Sequence, residues 1–185
     1  MRFPVLQTLF ALSSIGAAAA QTTSNNTTFH LTATAIVTDP ATNASALQCW
    51  QFTTALEVPS TPGISGAQSF KFNLSSAAEY TVIPPRFDGG LHNAPHNQFV
   101  IFTSGLAHIT LPHSTDEAWV VGGATGLLVA VDTLGSGHYT RYPTDQTTVT
   151  FTLPFEDGVP PPYEVSSQGA CDARGGSQVV GGTVL

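Results

Sequence analysis

Three histidines and one glutamine are the side chains of this sequence best suited to chemistry. His92, His96 and Gln98 fall in one short run, and His138 follows a glycine-bearing turn farther along the chain. An imidazole can exchange a proton near neutral pH or bind a transition metal, and an amide can hydrogen-bond a developing negative charge. We therefore take these four as candidate catalytic residues. They could transfer a proton, polarise a bound carbonyl or bind a metal.

Turn signals decide whether these side chains can meet. Proline is confined to strand edges and turns, so Pro95 predicts that one strand ends near His92 and another begins near His96. Along a straight strand the two imidazoles would lie about 13 Å apart, too far to share a ligand, whereas a turn could bring them together. Within the second strand, His96, Gln98 and Phe102 should share one face because side chains alternate.

The wider pattern predicts an all-β domain with little helix. Apolar and β-branched runs recur between Gly, Pro, Asn and Asp turns, and no segment holds a sustained helical period. Short strands at this spacing are typical of a sandwich or a barrel. We predict strands at residues 29–37, 49–56, 80–83, 99–103, 107–111, 118–121, 127–131 and 149–153.

The run from Gly126 to His138 resembles the second sequence motif of the cupin superfamily. It consists of a glycine, an apolar strand, a turn glycine at Gly135 and then a histidine. Together with the first cupin motif, the resemblance covers roughly residues 85–142. It implies that the apolar strand and the turn after it carry His138 into the interior of a barrel.

The first cupin motif is matched in part. His92 stands at its first histidine, Gly105 at its final glycine, and Gln98 at the position of its glutamate. Ala94 takes the place of its second histidine, which His96 would have to replace from a shifted position. The resemblance implies a single jelly-roll β-barrel, which we assign to residues 46–172.

The resemblance also implies a divalent transition metal as a potential cofactor. Cupin sites with three histidines and one glutamate suit Mn, Fe, Cu, Ni or Zn, and the candidate ligands here are His92, His96 and His138. The neutral Gln98 removes the anionic ligand and should weaken metal binding. Glu117 is the nearest acidic alternative, although we expect it in a solvated turn. Without metal, these residues would form a polar, hydrogen-bonded barrel floor, and no cofactor would be required.

In detail the chain is similar to secreted single-domain cupin-like proteins of filamentous fungi. Some of these are linked to secondary metabolism, including hetero-Diels–Alder ring closure onto quinone methides. The resemblance implies a cyclase without redox chemistry that binds a small apolar or quinone-like metabolite, and it leaves a homodimer open. A metal-dependent cupin oxygenase, decarboxylase or isomerase and a non-catalytic binding protein are the alternatives. The expected substrate-binding residues are Arg86, Phe102, Trp119 and Tyr142.

The first residues have the layout of a secretory signal peptide. A basic start, an apolar stretch too short to span a bilayer and a run of small residues occupy positions 1–20. Residues 21–45 follow as an N-terminal segment with the first strand, and we expect 173–185 to be a flexible glycine-rich tail. In a secreted protein, N-x-S/T triplets are glycan acceptors that must lie on the surface. Such triplets begin at Asn25, Asn26, Asn43 and Asn73.

The two cysteines lie near the ends of the predicted domain, at Cys49 and Cys171. An oxidising secretory compartment favours a disulfide between them. Two buried free thiols are the alternative.

Charge excludes two classes of partner. Charged residues make up 9% of the chain, and the net charge is −7. Nucleic acids and anionic membranes are bound through clustered Lys and Arg, and the five basic residues of this chain are scattered. We therefore expect neither as a partner.

Overall fold

The computed structural model describes residues 28–75 and 77–171, together with the backbone of residues 178–182. Within this part of the chain, no helix is long and apolar enough to cross a membrane. Three predicted features lie outside the described residues: the signal peptide at 1–20 and the glycan triplets at Asn25 and Asn26.

The described residues form strands in two sheets, and the predicted all-β class is confirmed. The strands are β1 (Thr28–Thr38), β2 (Ser45–Ala55), β3 (Glu79–Ile83), β4 (Asp88–His92), β5 (Gln98–Ser104), β6 (Leu106–Thr110), β7 (Glu117–Val121), β8 (Leu127–Ala130), β9 (His138–Arg141), β10 (Thr148–Pro154), β11 (Tyr163–Gln168) and β12 (Gln178–Gly182). The larger sheet has the order β11-β2-β1-β8-β5-β10-β3, with β12 also paired to β1. The smaller sheet has the order β4-β9-β6-β7. Between β10 and β11 the chain makes a single 3-10 turn at Glu156–Gly158.

At β1 the larger sheet is buried on both faces, since successive residues of this strand point to opposite sides and are buried. Ala35 faces one side and belongs to an apolar cluster with Phe52 and Phe99. Ile36, the next residue, faces the other side and belongs to a cluster that includes Ile109 of β6. Because this second cluster draws on both sheets, the two sheets pack face to face. Polar side chains that enter the space between them are therefore removed from bulk water.

All eight predicted strands are confirmed, and the largest boundary error is at the start of β2, which begins at Ser45. Strands β4, β9, β11 and β12 are additional. β4 contains Gly89 and Gly90, residues typical of turns, and its pairing with β9 shifts register between Asp88 and Leu91. Such a bulge accommodates glycines within a strand. β4 ends at His92, where a strand end was predicted.

The domain boundaries differ from those predicted. β1 lies between β2 and β8 in the middle of the larger sheet, so the fold includes residues from 28 onward rather than from 46. At the other end, part of the segment 173–185 is strand β12 rather than a loose tail. Its residues pair with the first half of β1, from Thr28 to Thr32, so the backbone groups of β12 have hydrogen-bond partners on β1.

The predicted disulfide is present. Cys49 on β2 is bonded to Cys171, which follows β11, and the two Cα atoms are 4.4 Å apart. The closed loop spans 122 residues and contains most of both sheets. Since β11 already pairs with β2, the bond fixes an edge strand onto the larger sheet.

Removing this bond should lower the free energy of unfolding by about 4–5 kcal/mol, because a cross-link over so long a loop restricts the unfolded chain. The change is Cys49→Ala with Cys171→Ala, measured by urea denaturation against the oxidised wild type. Reduction of the wild type should reproduce the loss. Equal midpoints for oxidised and reduced protein would show that the bond does not stabilise the fold.

Candidate active site

A cavity of about 240 Å³ lies between the two sheets. Its wall in the larger sheet comes from β3, β5, β8 and β10, and its wall in the smaller sheet comes from β4, β6 and β9. Along β5 the alternating residues Gln98, Val100 and Phe102 all line it, as the predicted shared face requires. Of the residues predicted to act on a substrate, five line this cavity: His92, Gln98, Phe102, His138 and Tyr142.

Two of these residues form a pair of imidazoles. His92 ends β4 and His138 begins β9, and the two are directly opposite each other in the antiparallel ladder. Their ring centroids are 4.6 Å apart. Directly opposite residues on neighbouring strands point to the same side of a sheet, so the ladder itself brings the two rings together.

A buried carboxylate orients His138. Nδ1 of His138 donates to Oδ2 of Asp132 at 2.8 Å, and the Ser45 hydroxyl donates to the same oxygen at 2.9 Å. Asp132 is fully buried, and 4% of His138 is exposed. With Nδ1 occupied, a neutral imidazole presents Nε2 as an acceptor to whatever enters the cavity.

His92 is held in the same tautomer by a backbone group. Its Nδ1 lies 3.1 Å from the carbonyl oxygen of Gly90, an arrangement in which the ring nitrogen donates. Part of the His92 ring is in solvent, but burial of the rest lowers the pKa of His92, and the neighbouring His138 lowers it further. His92 therefore offers an unprotonated Nε2 at neutral pH.

Gln98 supplies unused hydrogen-bonding capacity. The residue is 5% exposed, and its Oε1 is buried with no hydrogen-bond partner among the described residues. A buried polar atom without a partner costs free energy, so such atoms are concentrated at functional sites. An amide at this place in the cavity wall is available to a ligand.

Most of the remaining lining is uncharged. Threonine side chains of β9 and β10 alternate with apolar ones, and Glu79 at the start of β3 adds one carboxylate. Tyr142 is a further wall residue, and burial raises its pKa to about 12. Its phenol therefore stays protonated across the physiological range.

Three residues predicted to act at the site lie away from the cavity. His96 is exposed and precedes β5, which begins only at Gln98, so it does not share the inward face of that strand. Arg86 is exposed in the turn before β4 and makes an ion pair with Asp145. Trp119 alternates with the inward-facing residues of β7 and so lies on the outer face of the smaller sheet.

On that outer face Trp119 belongs to a polar cluster of its own. Its ring stacks on His108 at 3.8 Å between centroids, and the His108 Nε2 lies 2.8 Å from Glu117 Oε2. The same carboxylate accepts from the Trp119 indole N–H at 3.2 Å. Glu117 is thus engaged on the outside of the smaller sheet and does not reach the imidazole pair as a replacement ligand.

Asp132 is the functional residue that sequence reasoning missed. An aspartate after an apolar strand and before a glycine-rich turn is typical of a turn residue. Its position six residues before His138 could be read from the sequence, but its burial depends on how β8 and β9 pack.

Comparisons with models of protein families and with curated proteins found no match.

The donor set does not fit the metal site implied by the cupin resemblance. Two imidazoles converge, but the third candidate ligand, His96, lies outside the cavity. Oδ2 of Asp132 is bound to His138 and Ser45, and its buried Oδ1 has no hydrogen-bond partner among the described residues. Among the residues that the structure describes, no group of three or more His, Cys, Asp and Glu side chains is arranged to hold a metal ion.

We expect purified protein to contain far less than a stoichiometric amount of Mn, Fe, Cu, Ni or Zn, because two neutral imidazoles and an amide hold these ions weakly. Elemental analysis of protein from a metal-supplemented culture measures this directly. Chelation should leave the melting temperature unchanged. A stoichiometric ion that is lost in His92→Ala, with a lower melting temperature after chelation, would restore the metal-site interpretation.

The lowered pKa of His92 predicts a pH dependence of folding. Just below the ordinary value of 6.5, the unfolded chain binds a proton at His92 that the native protein does not bind. The free energy of unfolding should therefore fall as the pH is lowered through this window and stay constant above it. Urea denaturation between about pH 5 and pH 7 should give a shallower pH dependence for His92→Gln than for the wild type. Parallel curves for the two proteins would contradict the assignment.

Proposed function

We propose that the chain is a small-molecule enzyme that promotes a non-redox ring closure, with His138 as the proton-accepting group. The proposal rests on the buried hydrogen bond from His138 Nδ1 to Asp132 Oδ2, next to a cavity between the sheets. A carboxylate in this position fixes the tautomer of the imidazole and stabilises the imidazolium that forms when Nε2 takes a proton. A purely structural histidine does not need a fully buried carboxylate beside a cavity.

The proposed chemistry uses Nε2 of His138 first to take a proton and then to return it, while Nδ1 stays bound to Asp132. Nε2 takes the proton of a substrate phenol that carries a hydroxyl on a neighbouring benzylic carbon. The electron pair released on the phenol oxygen expels that hydroxide, which takes the proton back from the imidazolium and leaves as water. The resulting quinone methide closes onto an alkene with one new carbon–carbon and one new carbon–oxygen bond. No electrons enter or leave the substrates, so the sequence needs no oxidant or reductant.

Neutral donors are suited to the oxygen that gains charge during ring closure. Tyr142 has a phenol whose pKa is raised to about 12, and the Nε2–H₂ group of Gln98 is a second donor. The partnerless Oε1 of Gln98 can accept from a substrate hydroxyl. Hydrogen bonds to a substrate oxygen accelerate the reaction only if they strengthen in the transition state. Donors fixed in the cavity wall meet this condition better than solvent does, because they do not have to reorient during the reaction.

The lining also restricts the substrate. Ligand cavities usually measure about 300–1,000 Å³, so a cavity of about 240 Å³ suits a small molecule. Apolar side chains such as Phe102 and Leu128 favour an aromatic or alkenyl body, and the described lining residues include no Lys or Arg to hold an anion. A small, uncharged phenol or quinone-like metabolite satisfies these restrictions.

The test is product formation from 2-hydroxybenzyl alcohols, which give quinone methides in water, with an electron-rich alkene. The protein should raise the rate of chroman formation and give one enantiomer in excess. His138→Gln should lower the catalysed rate by about a hundredfold, because general base catalysis contributes about 10²–10⁴. Gln98→Ala should lower rate or enantiomeric excess less strongly. Asp132→Asn should act like His138→Gln, because the wrong tautomer then faces the cavity.

Controls separate catalysis from folding. His113→Ala changes an exposed imidazole away from the cavity and should match the wild type. His138→Gln is preferred to His138→Ala because an unpaired buried carboxylate would itself destabilise the fold. Melting temperatures of all variants are measured alongside. Racemic product at the buffer rate with wild-type protein, across the probe set, would exclude this function, and tight probe binding without turnover would favour a binding protein.

A further inference from the structure

A second and larger depression lies on the opposite face of the larger sheet. It has a volume of about 670 Å³ and is open to solvent. Its floor includes Val37 of β1 and Ala46 of β2, whose small side chains leave a hollow beside the large rings of Trp50 and Tyr163. We call it the aromatic groove. It shares no lining residue with the cavity between the sheets.

One ring dominates the surface of the aromatic groove. Trp50 and Tyr163 are stacked with centroids 3.5 Å apart and planes inclined by 9°. Only 1% of Trp50 is exposed, against 38% of Tyr163, so Tyr163 covers the indole and presents the aromatic surface to a ligand. An exposed aromatic ring suits the C–H face of a sugar ring, which is flat and apolar.

The polar groups of the groove suit a neutral ligand with many hydroxyl or amide groups. Gln48 and Gln168 are opposite each other across β2 and β11, and the Trp50 indole donates to Oε1 of Gln48. That bond leaves the amide N–H groups of Gln48 free to donate. Asp39 is the charged residue in the lining, but the backbone N–H of Ala41 and the hydroxyl of Thr42 occupy its two oxygens.

A glycan acceptor stands at one end of the groove. Asp39 and Pro40, which line it, begin the turn between β1 and β2. Asn43 lies in the same turn, is exposed, and donates its backbone N–H to the Asp39 carbonyl at 2.8 Å. Asn43-Ala44-Ser45 is an N-x-S/T triplet. A glycan on Asn43 is therefore tethered at the rim, where even a weak contact is favoured by the high effective concentration.

We propose that the N-linked glycan of Asn43 folds back into the aromatic groove, with a core N-acetylglucosamine against Tyr163 and its polar groups on Gln48 and Gln168. The glycan core is uncharged, as the lining requires. It would cover Tyr163, which among the described lining residues is the large ring that solvent reaches. The proposal is independent of the chemistry assigned to the cavity.

The experiment uses the full chain secreted from a eukaryotic host, with occupancy at Asn43 and Asn73 established by glycopeptide mass spectrometry. The native protein is treated with an endoglycosidase that cuts between the two core sugars, and trimming is followed at each site. Asn43 should be trimmed about tenfold more slowly than Asn73, as for a glycan docked about nine-tenths of the time. Asn73, which is exposed beside a different and more highly charged cleft, is the internal reference.

Variants of the groove separate docking from crowding in the turn. Gln168→Ala and Tyr163→Ala should accelerate trimming at Asn43 toward the Asn73 rate and leave Asn73 unchanged. Tyr80→Ala removes a tyrosine that is 62% exposed on β3, at the far end of the larger sheet, and should change neither rate. Gln168→Ala alters an exposed side chain, so it keeps the test informative if Tyr163→Ala disturbs the Trp50 stack.

Three results would overturn the proposal. They are an unoccupied Asn43, equal trimming of the two glycans, and slow trimming at Asn43 that both groove variants leave unchanged. A proline-rich peptide that binds the groove equally well in glycosylated protein and in Asn43→Gln would also overturn it, since the groove would then be open. Faster nitration of Tyr163 in Asn43→Gln than in the wild type would support it.

Discussion

The buried hydrogen bond between Asp132 and His138 is the contact on which the geometry of the cavity depends. Asp132 follows β8 in the larger sheet, and His138 begins β9 in the smaller one, so this bond joins the two sheets at the cavity. A fully buried carboxylate is costly unless its partners remain in place. Ser45 adds a second donor from β2. The charge therefore enforces the approach of three strands from two sheets.

The turn between β8 and β9 is held from two sides, and this explains how a glycine-rich loop can position a reactive side chain. The Asn93 amide donates to the carbonyls of Asp132 and Leu134, which ties the turn to the end of β4. On the other side, the Thr38 hydroxyl at the end of β1 donates to the Leu134 carbonyl, and the backbone N–H of Ser45 at the start of β2 donates to the Ser136 hydroxyl. A loop with these restraints can keep His138 in one orientation even though the residues of the loop are not paired with a neighbouring strand.

The fold was more predictable than the site, for a physical reason. Strands such as β1 and β5 can be predicted from their apolar residues, because this pattern lies within the strand itself. The pairing of His92 with His138 depends on the pairing of β4 with β9. The sequence of β4 does not look like a strand, because it contains two glycines and forms a bulge. Gln98 could be predicted from its spacing in the strand. Asp132 could not, because nothing local distinguishes a buried aspartate from one in a solvated turn.

The hydroxyl of Ser45 has two unrelated roles. It completes the triplet that begins at Asn43, and in the folded protein it donates to the Asp132 carboxylate. Only serine and threonine can satisfy both, so the two requirements together restrict position 45 to these two residue types. A mutational scan would therefore record position 45 as intolerant without revealing which requirement had failed.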